Sequence, residues 1–173
     1  DLSAALKQNP WFGEAINGRA AVRFHRKDME GALADFALMA QLMPERPEPF
    51  ANRGEVRRAQ GKLQEALEEF AQALGRDPDF GVALNSRAVT WLELGEDEKA
   101  LADLDRCIEK NPYYANPRFN RARLRLKRGL PQAAIEDWEA ILKIEPEAPG
   151  NAEVRANIEE ARKQIGEASG EKR

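Results

Sequence analysis

Pro10, Pro44, Pro78, Pro112 and Pro146 stand 34 residues apart along the chain, and no insertion or deletion breaks the step. Other positions keep the same phase. Ala32, Ala66, Ala100 and Ala134 repeat one slot, and Gly61, Gly95 and Gly129 repeat another, with Lys27 in its first copy. A large apolar residue recurs at Phe36, Phe70, Leu104 and Trp138, and a small one at Ala20, Gly54, Ala88 and Ala122. A period of this size marks a repeat array, in which each unit buries its apolar face only by stacking on its neighbours.

Each unit reads as two helices. Leu84, Ala88, Trp91 and Leu92 form one helical stripe. Gly95 ends it, because glycine tolerates the left-handed conformation that closes a helix. The stripe resumes at Ala100, Leu101, Leu104, Cys107 and Ile108. Asn111-Pro112 stops the second helix, since proline cannot continue the hydrogen-bond ladder. Pro49, Pro117 and Pro131 fall where a helix should begin, and a first turn accepts proline. None of the ten prolines must sit inside a helix.

A 34-residue helix–turn–helix unit with these small, Gly, Ala, aromatic and Pro slots resembles the tetratricopeptide repeat (TPR). Four full units are covered: 13–46, 47–80, 81–114 and 115–148. The resemblance implies an all-α fold, a right-handed solenoid of antiparallel helix pairs. Residues 1–12 read as the second helix and exit loop of a partial unit. Residues 149–165, with Val154, Ile158, Ala161 and Ile165 on one stripe, read as a capping helix, and 166–173 as a flexible polar tail. Two slots depart from the family pattern. The usual aromatic early in the first helix is Ile16, Phe50, Leu84 and Arg118, and the usual leucine at the seventh slot is always arginine.

Those arginines have an architectural reading. Arg19, Arg53, Arg87 and Arg121 are each followed sixteen residues later by Asp35, Glu69, Asp103 and Asp137. In a helix pair turning near the fifteenth slot, both positions lie equally far from the turn. An Arg–carboxylate bridge within each unit is therefore predicted.

The remaining composition narrows the chemistry. One cysteine excludes an internal disulfide and a multi-cysteine zinc site, and one histidine excludes a histidine metal cluster. Cys107 shares its slot with Met39, Ala73 and Ile141, so it reads as a buried apolar thiol. His25 stands among Arg23, Arg26 and Lys27 and reads as a surface residue. No catalytic residue, metal ligand or cofactor is expected. A net charge of −3 does not imply nucleic-acid binding, and no apolar run is long enough to span a membrane. The chain opens on Asp1 with no targeting segment visible, so it reads as a piece of a longer or processed protein. Its compartment stays open, with the cytoplasm favoured.

The charge is layered. Slots 2–15 of the four units carry a net +10 and slots 18–31 a net −9. The positive surplus sits in the fourth unit, where Arg118, Arg121, Arg123, Arg125, Lys127 and Arg128 occur with no acid between them. In TPR proteins the first helices line a concave groove that holds extended partner segments. The resemblance places slots 2, 5, 6, 9, 12 and 13 there, including Ala51, Ser86 and Asn116. Asn17, Asn52, Asn85 and Asn120 would hold a ligand backbone, because a side-chain amide both donates and accepts. Phe24, Val89, Leu92 and Phe119 would take apolar side chains. Arg58, Arg123 and Lys127 would meet acidic groups. The carboxylate clamp of chaperone-tail TPR domains is absent in either register, with Asn17 and Ala21 or Ala51 and Glu55 at its first two positions.

The expected function is thus a noncatalytic protein-interaction module that binds an extended, partly acidic peptide. Two alternatives stand beside it. One is a structural scaffold that self-associates through Leu2, Leu6, Trp11 and Phe12 or its convex face. The other is the substrate-selecting part of a larger enzyme.

Overall fold

The computed structural model describes residues 11–170. Helix is the only regular secondary structure among them. In order, the helices are α1 Trp11–His25, α2 Met29–Leu42, α3 Glu48–Ala59, α4 Leu63–Arg76, α5 Gly81–Glu93, α6 Asp97–Lys110, α7 Ala115–Lys127, α8 Pro131–Ile144 and α9 Asn151–Gly170. The chain divides after Leu94 into two compact units. The first contains α1 to α5 and the second α6 to α9.

The helix boundaries follow from the punctuation in the sequence. After α3, Gly61 takes φ +75°. Its N–H reaches the Arg58 carbonyl at 2.9 Å, and the Lys62 N–H reaches the Arg57 carbonyl at 2.9 Å. This is a Schellman closure, which satisfies carbonyls that the helix end would leave orphaned. Gly129 and Leu130 make the same two bonds after α7, to Leu126 and Arg125. So do Lys27 and Asp28 after α1, to Phe24 and Arg23. Lys27 is thereby forced to φ +66°, where a Cβ is penalised. Asp28 then caps α2 by accepting the Gly31 N–H at 2.9 Å.

Two boundaries differ from the sequence reading. Helix α1 begins at Trp11, two residues before the repeat unit was placed. Helix α9 runs on through Gly170, past residue 165, because no proline stops it and each added residue gains a bond at little nucleation cost.

The core of the first unit gathers Ile16, Ala20, Ala32, Leu33, Phe36, Met39 and Val56 around the α1–α2–α3 contact. Next to it, Phe70 is fully buried against the backbone of Gly54. A Cβ at residue 54 would lie 2.5 Å from Phe70 Cε1, so α3 and α4 approach this closely only because that slot is glycine. The Phe50 ring lies beneath the Arg76 guanidinium, 3.5 Å from Cζ to the ring centroid. Arg76 also donates to the carbonyls of Pro44 and Gln72, tying the α2–α3 connection to α4.

The core of the second unit is built on Trp138. Ala122, Ala134, Ile135 and Ile141 surround it, and α9 adds Val154, Ile158 and Ala161. Helix α9 therefore covers apolar surface that α7 and α8 would otherwise expose to water.

Candidate interaction site

The polar contacts among the helices decide which of the proposed site residues are available to a ligand. The Arg–carboxylate pairs come first because they neutralise first-helix arginines in the first, second and fourth repeats. Arg19 grips Asp35 with both nitrogens of its fork, Nε at 3.0 Å and Nη2 at 2.7 Å. Arg121 grips Asp137 likewise, at 2.9 and 2.6 Å. Arg53 engages Glu69 through Nε and Nη2. In the first and fourth repeats a further arginine joins. Arg23 Nη1 lies 2.9 Å from Asp35 and donates to the Gly31 carbonyl at 3.2 Å. Arg125 Nη1 lies 2.9 Å from Asp137 and donates to the Ala133 carbonyl at 3.2 Å.

These contacts set the charge states. Hydrogen bonds from Arg19 hold the Asp35 carboxyl below its ordinary value against the opposing effect of burial, and the charges of Arg19 and Arg23 add to them. Since the folded-state value is depressed, this stabilisation is complete above the unfolded value. It is lost as pH falls through the folded one. Burial opposes the charge of Arg121, and its bonds to Asp137 and Asp105 outweigh that, raising its pKa.

In the first unit the structure brings two of the proposed asparagines together. Asn52 Nδ2 donates to Asn17 Oδ1 at 3.1 Å, joining α1 to α3 on one face. Asn17 is exposed and Asn52 half-buried. Phe24 is half-buried, with its ring 6.0 Å from that of His25. Asn85, Val89 and Leu92 are half-buried on α5. Ala51 and Ser86, expected on the same face, are instead buried at 1% and 7% exposure, because α3 and α5 turn them into the packing. Arg58 is not a free cation either. It lies 2.7 Å from both Glu55 and Glu93, and these carboxylates raise its pKa against the effect of burial.

In the second unit the apparent positive surplus is largely neutralised. Lys127 Nζ sits 2.9 and 3.0 Å from the two oxygens of Asp97, and Arg128 lies 2.6 Å from Glu98. Arg118 turns toward Asp137 at 3.9 Å and donates to the Pro112 carbonyl. Arg123 alone among these six cations is exposed without an ion pair among the described residues. Phe119 and Asn120 are half-buried on α7.

A cleft of about 370 Å³ opens beside Phe119, between α7, the end of α8 and the start of α9. Sequence reasoning placed Asn116 and Phe119 on the ligand face but missed their neighbours Ile141, Glu145, Glu153 and Val154. The signal for these was the break in period at Pro149-Gly150. Asn151 fixes the connection there, its Nδ2 donating to the carbonyls of Glu145 at 2.7 Å and Pro146 at 2.9 Å.

Of the residues proposed for self-association, Leu2 and Leu6 lie outside the described residues, as does the Trp11 side chain. Phe12 is 38% exposed. Cys107 is a buried thiol outside any disulfide. No helix among the described residues is long and apolar enough to cross a membrane.

The tetratricopeptide-repeat family model matches residues 52–115. A thermophilic TPR protein of Thermus thermophilus superposes with a TM-score of 0.73, covering 92% of this chain and 86% of that one at 22% identity. The chain has the tetratricopeptide-repeat (TPR) fold. YrrB, a TPR protein described as having an unusual peptide-binding site, superposes with a TM-score of 0.64 at 20% identity, covering 93% of this chain and 81% of its own. Among curated proteins, DnaJ homolog subfamily C member 3 of Rattus norvegicus is 34% identical over 103 residues. That match takes in 60% of this chain and only 20% of the relative, so the TPR chain spans about a fifth of its length. The TPR fold supports protein–protein interaction.

Proposed function

We propose that the chain is a noncatalytic interaction module that holds an extended partner segment against the first helices of its repeats. The observation that carries this reading is the Asn17–Asn52 hydrogen bond. It uses the Asn17 carbonyl oxygen and one Asn52 amide hydrogen, leaving the Asn17 NH2 and the Asn52 carbonyl for a ligand. A donor and an acceptor side by side match the N–H and C=O of an extended backbone whatever its sequence. Neighbours of this fold that bind peptides support the reading. Asn85 would continue the amide contacts in the first unit, and Asn120 would make one in the second. Phe24, Val89, Leu92 and Phe119 would take apolar side chains. For acidic groups of the partner, the ion pairs of Arg58 and Lys127 make Arg123 the principal contact.

Affinity capture with the purified chain and its Asn17→Ala/Asn52→Ala variant tests this. The variant should retain at most about a tenth of the captured partner, a loss of roughly 1.4 kcal/mol, with its helical circular dichroism unchanged. Undiminished capture would remove the amide pair from the binding site. Arg123→Glu should weaken capture further if the partner is acidic and leave it unchanged if not.

A further inference from the structure

The cleft beside Phe119 differs in chemistry from the rest of the ligand face. Its floor is apolar: Phe119, Ile141 and Val154, the last two of which belong to the core around Trp138. Its rim is acidic. Glu145 and Glu153 are both exposed and both line it, and no lysine or arginine does. Arg118, the neighbour of Phe119 on α7, is engaged with the Pro112 carbonyl and Asp137.

The helix ends reinforce this polarity only partly. Glu145 caps the C-terminus of α8, the negative end of that helix. The N-terminus of α9 is a positive end, and Glu153 in its first turn offsets it. Two full carboxylate charges outweigh one half-charge, so the net field at the mouth favours a cation. The walls are preorganised, because Asn151 ties the α8–α9 connection to itself through the Glu145 and Pro146 carbonyls. The volume, about 370 Å³, lies at the small end of the range for ligand pockets of roughly 300–1,000 Å³. It suits one large apolar side chain rather than a cofactor.

We propose that this cleft seats an apolar side chain of a partner segment flanked by lysine or arginine, whose charges meet Glu145 and Glu153. The inference rests on the interaction-module reading only in taking a peptide as ligand. It assigns a separate subsite whose charge preference is opposite to that of Arg123. Asn116, at the edge, is placed to bond the segment's backbone.

The test uses the intact chain and three short synthetic peptides, centred on Lys-Phe-Lys, Glu-Phe-Glu and Lys-Ala-Lys. Binding is read by fluorescence anisotropy and located by amide NMR shifts. The Lys-Phe-Lys peptide should bind about tenfold or more tightly than either other peptide, with shifts centred on Phe119, Ile141 and Val154. Glu145→Lys/Glu153→Lys should remove that preference while leaving circular dichroism unchanged, and Asn17→Ala/Asn52→Ala should not alter it. Equal or tighter binding of Glu-Phe-Glu, persistence of the preference in the charge-reversed variant, or shifts centred elsewhere would overturn the proposal. So would a concentration-dependent mass abolished by Phe119→Ala, which would put a second copy of the chain in the cleft. If Lys-Phe-Lys fails while the asparagine variant still loses its captured partner, the cleft assignment falls and the interaction reading stands. The converse result separates them the other way.

Discussion

The first and fourth repeats solve one problem with the same residues and leave the partners of the buried carboxylate differently exposed to water. Each buries an aspartate, Asp35 or Asp137, under a forked arginine, and each adds a second arginine that also caps a carbonyl of the following helix. The two carboxylates are equally covered, with side chains 4% and 3% exposed. Their partners are not. Arg19 is 56% exposed and Arg121 13% exposed, and Arg118 stands as a third cation near Asp137. The first repeat also closes α1 with Lys27 in a left-handed conformation, where the fourth uses Gly129. A repeat slot fixes which groups meet; how far water reaches them depends on the neighbours each repeat happens to have.

This comparison breaks or sharpens under substitution. The largest effect is expected from Asp137→Ala. It leaves Arg121 and Arg125 without their buried partner and should cost about 3–5 kcal/mol in urea unfolding. Asp35→Ala should cost clearly less, since Arg19 can return to water. An equal or larger loss for Asp35→Ala would show that partner exposure does not set the difference.

The small slot of the first helix gives the next effect. Ala20 and Ala122 carry a Cβ at this position, whereas Gly54 has Phe70 where a Cβ would go. Gly54→Ala should lower stability by about 1–3 kcal/mol through overpacking. Adding Phe70→Leu should recover part of it, and a double variant no more stable than Gly54→Ala would refute the steric cause. The smallest effect concerns the helix closure. Lys27→Gly should raise stability by about 0.5–1 kcal/mol, from relief of left-handed strain less the added chain entropy. A lower melting temperature for that variant would contradict the strain at Lys27.

Much of this was legible in residue order. The period, the prolines and the glycine slot specify where helices start and stop, because caps and turns are local. The Arg–carboxylate pairs were legible too, since two positions equidistant from a tight turn must lie level. The candidate site was less so. Lys127 read as free because its partner, Asp97, lies far off in sequence on another helix, and Arg58 is held by Glu93 in the same way, besides Glu55 one turn back on its own helix. Ala51 and Ser86 kept the spacing of exposed positions yet are buried. The cleft was illegible because it arises where the period fails, at Pro149-Gly150, and slot counting has no purchase past that point.

The sequence by itself determined the helices, their caps, and the residues that pack within each repeat. These depend on interactions over one or two turns and on a spacing the chain repeats four times. The tertiary structure alone decided which charges remain available and where a cavity opens. Coulomb pairing between long side chains, and the gap between a repeat and its cap, depend on distances that only packed helices define. The positive surplus of the fourth repeat therefore reduces, in the folded second unit, to one exposed arginine on α7, Arg123, while an acidic-rimmed apolar cleft opens between α7, the end of α8 and the start of α9.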